Sequence, residues 1–105
     1  MHKNIAEIVI NALNQLNGQN IIEIDVTTLT NITDTMIIAS GTSNIHIFAL
    51  ANNMVKKLKE KGFIPLSIEG NKNDDWILVD ISYVIVHIML PDIRKKYNLE
   101  GIWII

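Results

Sequence analysis

Apolar residues recur at Ile5, Ile8, Val9, Ala12, Leu13 and Leu16. That spacing marks one face of a helix, and Gly18 stands where a left-handed C-terminal residue is expected. Ile22, Ile24 and Val26 then alternate with Glu23 and Asp25, the pattern of a strand with one wet face. A polar connection follows from Leu29 to Asp34. Met36 to Ala39 is unbroken apolar sequence, so this strand is predicted to be central and covered on both faces. Ser43 is the expected N-cap of a second helix, with Ile47, Leu50, Ala51, Met54 and Leu58 as its buried stripe and Gly62 as its end. Pro65 opens a short strand, with Leu66 and Ile68 predicted inward and Ser67 and Glu69 outward. After Pro91, Asp92 is expected to cap a short helix reaching Tyr97. Leu99, Ile102 and Trp103 follow, and Trp103 is expected to plug the core.

Residues 74–91 hold the most information. They read as two nearly continuous apolar strands joined by a tight turn and interrupted by Trp76, Asp80 and His87. If the strands pair around Ile81-Ser82, position 80 lies opposite 83, 78 opposite 85 and 76 opposite 87. Cross-strand partners share a face. Trp76, Leu78, Asp80, Tyr83, Ile85 and His87 then form a mixed face. Val79, Ile81, Val84, Val86, Ile88 and Leu90 form an apolar one that helices must cover.

The element order is α-β-β-α-β-β-β-α, which predicts a single-domain α/β (α+β) fold with a mixed five-stranded sheet and packed helices. With 105 residues, 49% of them hydrophobic, the chain has one core and no room for a second. It lacks cysteine, which removes disulfides, thiolate nucleophiles and Cys-based metal sites. No apolar run approaches a membrane span and no signal-peptide pattern opens the chain, so a cytoplasmic location is expected. The net charge is -2, whereas nucleic-acid binders usually carry a basic face. Lys56, Lys57, Lys59 and Lys61 cluster at one helix end, where the dipole favours cations, and read as a solvated end. Acidic residues gather in the C-terminal half, so a basic protein is the better expected partner.

Catalytic readings find little support in these residues. Gly41-Thr42-Ser43 enters a helix after an apolar strand, as in nucleotidyltransferases, but no pair of carboxylates one residue apart follows to hold the metal ions such enzymes need. Glu23 and Asp25 have that spacing on an earlier strand. His2, His46 and His87 are far apart, and His46 falls on the polar flank of its helix, where solvation is expected. Ser82, His87 and Asp80 form a triad only on paper, since no nucleophile elbow exists. No metal and no cofactor are expected. Recognition remains: Trp76, beside the acidic turn, is an anchor or a core group, and His87 is a structural ring or an orienter of Trp76.

The chain resembles the ribosomal silencing factors, also called the Iojap family. The resemblance runs through Asp25-Val26, Ile32-Thr33-Asp34, Met36 to Ser43, Gly62, Pro65-Leu66 and Ile68-Glu69-Gly70. It continues with Asp75-Trp76-Ile77-Leu78-Val79-Asp80 and Val84 to Met89, and closes on Arg94, Tyr97, Leu99-Glu100 and Trp103. Residues 1–105 would form one such domain. The chain departs from the pattern at Ile45, where the family often has Arg, and at Gly101-Ile102. The resemblance implies an outline similar to nucleotidyltransferases without their catalytic carboxylates or activity. It also implies a partner, the fourteenth protein of the large ribosomal subunit, and a contact surface that includes Trp76 and Ile77. Asp75, Glu69, His87 and Tyr83 are the expected supporting residues. The implied function is to block subunit joining and so repress translation; a nucleotide-binding enzyme is the alternative, and self-association through the Trp76 face a further possibility.

Overall fold

A computed structural model describes residues 2–103, and side chains from Asn4 to Ile102. The chain forms α1 (His2–Gln15), β1 (Gln19–Asp25), β2 (Thr35–Ser40), α2 (Asn44–Glu60), β3 (Ser67–Glu69), β4 (Trp76–Asp80), β5 (Val84–Met89), α3 (Pro91–Tyr97) and α4 (Leu99–Trp103). The strands make one sheet in the order β1-β2-β5-β4-β3. β2 and β5 run parallel, and the other neighbours are antiparallel. This is the mixed five-stranded α+β architecture expected from the sequence, with α4 added at the end.

Two apolar layers sandwich the sheet. On one side Val9, Leu13, Leu50, Met54 and Leu58 from α1 and α2 pack on Ile37, Ile77, Val79, Val86 and Ile88. On the other, Met36, Ile38, Met89 and Val26 form a smaller core, against which Ile93 of α3, Leu99 of α4 and Trp76 pack. β2 is buried on both faces, with Ile37 and Ile38 fully covered, which is why its sequence shows no alternation.

Helix ends follow local chemistry. Ser43 Oγ accepts the His46 N–H at 3.1 Å and caps α2. Gly62, at φ 89°, closes that helix, with the Phe63 N–H reaching the Leu58 carbonyl at 2.9 Å. At the end of α1 the left-handed residue is Asn17 (φ 61°) and not Gly18. Gly18 is required for another reason: its N–H bonds the Leu13 carbonyl at 2.8 Å, and a Cβ there would lie 2.9 Å from that oxygen. Asp92 does not cap α3. Leu90 is the N-cap, Pro91 fills the first turn and Asp92 lies within it, where proline loses no hydrogen bond and a carboxylate meets the positive end of the dipole.

The last two strands differ from expectation in register. Asp80 pairs with Ile85, Leu78 with His87 and Trp76 with Met89, because the turn spans Ile81 to Val84, with Ile81 N–H on the Val84 carbonyl and Ser82 at φ 73°. The shift is two residues, the side-chain period of a strand, so both predicted faces survive. Tyr83 leaves β5 and joins the turn.

β3 is also corrected. Leu66 and Ile68 are 71% and 49% exposed, although Ile68 pairs with Val79 on the helix-covered side. Two helices about 10 Å wide cover about four strands at ~4.8 Å spacing, and the edge strand lies beyond them. The side chain of Trp103 lies outside the described residues.

Candidate functional site

The mixed face of β4 and β5 gathers the unusual side chains. Trp76 opens β4, and its indole N–H donates to His87 Nδ1 at 2.9 Å. An accepting Nδ1 places the proton of the neutral ring on Nε2. The rings lie 5.7 Å apart, tilted by 51°. Tyr97, at the end of α3, packs on the indole at 5.2 Å with a tilt of 49°, and Lys96 lies 5.6 Å over the Tyr97 ring. Only 7% of His87 is exposed, and burial pulls its pKa from 6.5 down to about 4. The ring is therefore neutral near pH 7 and free to accept. Trp76 stays half-buried and Tyr97 half-exposed, so an apolar, hydrogen-bonded platform reaches the surface.

A groove lies beside it, lined by Trp76, Leu78, Gly70, Glu69 and Asp74. Gly70 turns the chain at φ 115°, and a Cβ there would come within 3.0 Å of the Trp76 carbonyl. Asp74 Oδ2 accepts the Asn71 N–H at 2.8 Å, fixing the turn that carries the carboxylate.

Of the residues singled out from the sequence, Trp76, His87 and Glu69 come together. Asp75 is exposed beside them, but its Oδ1 is held by Asn44 Nδ2 at 2.7 Å, bracing the turn against the start of α2. Ile77 points the other way and is 1% exposed: neighbours along a strand face opposite sides, and in this fold Ile77 offers a partner no surface. Tyr83 stands at the far end of the sheet, about 13 Å along β4 from Trp76 at ~3.3 Å per residue. There it lines a separate hollow with Ile5, Phe63 and Ile64. Leu78 lies in the patch as strand parity predicts, and Tyr97 and Asp74 belong to it without having been singled out. The Trp76–Tyr97 contact joins residues from separate elements, and no local pattern encodes it.

Two other polar groups turn out to be structural. His46 is partly exposed, but both ring nitrogens are engaged: its Nδ1 accepts the Thr42 N–H at 2.9 Å and its Nε2 meets the Leu16 carbonyl at 2.7 Å. It thus ties the end of α1 to the start of α2. Arg94 is buried, donating from Nε to Glu100 and from Nη1 to Ser40, each at 2.9 Å. Lys57 approaches Glu60 at 3.9 Å, as expected of a solvated helix end.

Fold and patch together define a small α+β domain that presents an aromatic platform and an acidic groove at one end of its sheet. The sequence pattern of the family described as ribosomal silencing factor during starvation matches residues 1–104. The chain is 42% identical to the ribosomal silencing factor of Chromobacterium violaceum, over 94% of this chain and 81% of that one. It is 40% identical to the Haemophilus influenzae factor over 94% and 97%. A mouse protein named mitochondrial assembly of ribosomal large subunit protein 1 is 36% identical; the match covers 92% of this chain and 44% of the mouse protein. A crystal structure of a Chromobacterium violaceum protein superposes with a TM-score of 0.94 at 42% identity, covering 96% of this chain and 84% of that one. A Bacillus halodurans structure gives 0.86 at 26% identity, covering 96% and 94%. This chain belongs to the ribosomal silencing factor family.

Proposed function

We propose that this domain docks on the large ribosomal subunit through its fourteenth protein and keeps the small subunit from joining, which represses translation without a covalent step. The observation that carries the reading is Trp76: a half-buried indole, locked by His87 and Tyr97 and flanked by carboxylates, at the surface of a rigid sheet. Such an anchor is pre-organised and loses little entropy on binding. The acidic groove beside it suits a basic partner. The Chromobacterium and Haemophilus relatives carry the silencing-factor name, and the mouse relative is named for the large ribosomal subunit. A standard interface would bury ~800 Å² of each partner. The body measures 34 × 32 × 21 Å, too large to share a tight subunit interface. Blocking is by occupancy, in the cytoplasm.

The enzymatic alternative meets specific obstacles. The start of α2, where a phosphate would sit, is engaged by the chain itself: Ser43 caps it, the Thr42 N–H is given to His46, and Asn44 holds Asp75. Asp25 pairs with Thr35, at the opposite end of β2 from Gly41. Among the described residues no three His, Cys, Asp or Glu side chains gather to hold a metal.

The test is a pull-down of purified large subunits with parent and Trp76→Ala protein, followed by a subunit-joining assay. Truncating the anchor is expected to weaken binding by at least ~2 kcal/mol, roughly thirtyfold. Full joining at saturating factor would refute the mechanism. Equal binding by the variant would remove Trp76 as the anchor. Sedimentation at several concentrations tests whether the same face pairs with its own copy.

A further inference from the structure

We infer that the groove on the β3 side of Trp76 is a seat for one arginine side chain of the basic partner, with the guanidinium lying on the indole and bonded to Glu69 and Asp74. The inference rests on the docking reading above and names the chemistry that docks. Three features of the groove point to it: Trp76 lines it with an aromatic side chain, Leu78 with an aliphatic one, and Glu69 and Asp74 with two carboxylates. The His87 and Tyr97 contacts fix the indole plane, and the Asn71 N–H fixes Asp74. The walls are therefore in place before a ligand arrives.

Arginine fits this set better than other groups. Its planar guanidinium stacks on an aromatic face while its edge donates forked hydrogen bonds to carboxylates. Its methylene stem can lie along Leu78. Lysine brings the charge without the plane. A neutral or acidic side chain would leave two carboxylates unanswered. Lys72 is the only cation in the turn 70–75 and is absent from the groove lining. The seat is therefore negative overall, whatever the -2 charge of the whole chain.

Two measurements test the seat. In the first, the indole N–H signal of Trp76 and the amide signal of Gly70 are followed by NMR as N-acetyl-arginine amide or N-acetyl-lysine amide is added to the full chain. Saturable shifts are expected with arginine, weaker ones with lysine, and none in a Glu69→Gln/Asp74→Asn variant. Those substitutions keep an acceptor oxygen for the turn and remove the charge. Identical responses to both probes, or an unchanged response in the variant, would overturn the inference. In the second, the variant and the parent are bound to large subunits across a salt series. A loss of at least tenfold in affinity, with a flatter salt dependence, is expected. If the parent binds and the variant matches it at every salt, the arginine seat is wrong while docking stands. If the arginine probe saturates the groove but the parent ignores large subunits, the docking reading fails and the seat remains.

Discussion

Acid should loosen this fold through one histidine, and the structure fixes both the sign and the size of the effect. His87 is 7% exposed and holds its pKa at about 4, against 6.5 for a free ring, because burial penalises the charged form. Protonation would also turn Nδ1 from acceptor into donor, facing the Trp76 N–H that it now receives. Below pH ~6.5 the unfolded chain takes up a proton that the folded chain refuses until about 4. Between those values the unfolded state binds more protons, so stability falls as pH falls. At about 1.4 kcal/mol per pH unit, the loss reaches about 3 kcal/mol by pH 4, a large share of the ~5–15 kcal/mol that holds a small domain together. Urea unfolding at several pH values between 7 and 4, followed by tryptophan fluorescence, measures it. His87→Asn, whose side-chain oxygen can still accept the indole N–H, should flatten the curve across this window. Asp25, held below the usual carboxylate range by the Thr27 hydroxyl and N–H, acts only at lower pH: its contribution is present above 3.8 and is lost as pH falls further. A parent curve flat from pH 7 to 4, or parallel slopes for parent and variant, would refute the argument. So would an NMR titration of the His87 ring with a midpoint near 6.5.

Other perturbations follow from single contacts. Arg94→Ala leaves the Glu100 carboxylate without its buried partner and should cost about 3 kcal/mol, read as a lower urea midpoint at unchanged slope. Ser43→Ala removes the α2 cap and should cost about 1 kcal/mol, while Ser43→Asp should largely restore stability in the same melt. Ile37→Ala opens a cavity in a strand covered on both faces and should cost about 2–5 kcal/mol. Tyr97→Ala removes one support of the indole and should weaken large-subunit binding, with a smaller effect than Trp76→Ala.

Much of the fold was legible because periodicity reports burial directly. The stripe Ile47, Leu50, Ala51, Met54 and Leu58 is the buried face of α2, and Met36 to Ala39 lies mid-sheet as its unbroken apolar run implied. The two faces of β4 and β5 emerged correctly even from a pairing two residues out of register, since strand geometry repeats every two residues. The site was only partly legible. Trp76, Leu78 and His87 fall on one face by parity, whereas Glu69 joins them only through the pairing of β3 with β4, and Tyr83 was assigned there through a turn drawn too short. Ile77 followed from the resemblance, and its alternation with Trp76 turns it into the core.

What the sequence determined alone was local: which residues prefer helix or strand, where Ser43 and Gly62 end α2, and which side of each strand is apolar. These depend on backbone geometry and on near neighbours along the chain. Tertiary structure alone decided how far the two long helices reach across five strands, leaving Leu66 and Ile68 uncovered at the edge. It also decided that α3 returns to lay Tyr97 on Trp76, that Arg94 is buried against a partly exposed Glu100, and that His46 bridges α1 and α2. Each depends on groups distant in sequence meeting in space, a relation carried by packing and by the need to satisfy buried polar atoms rather than by any local pattern.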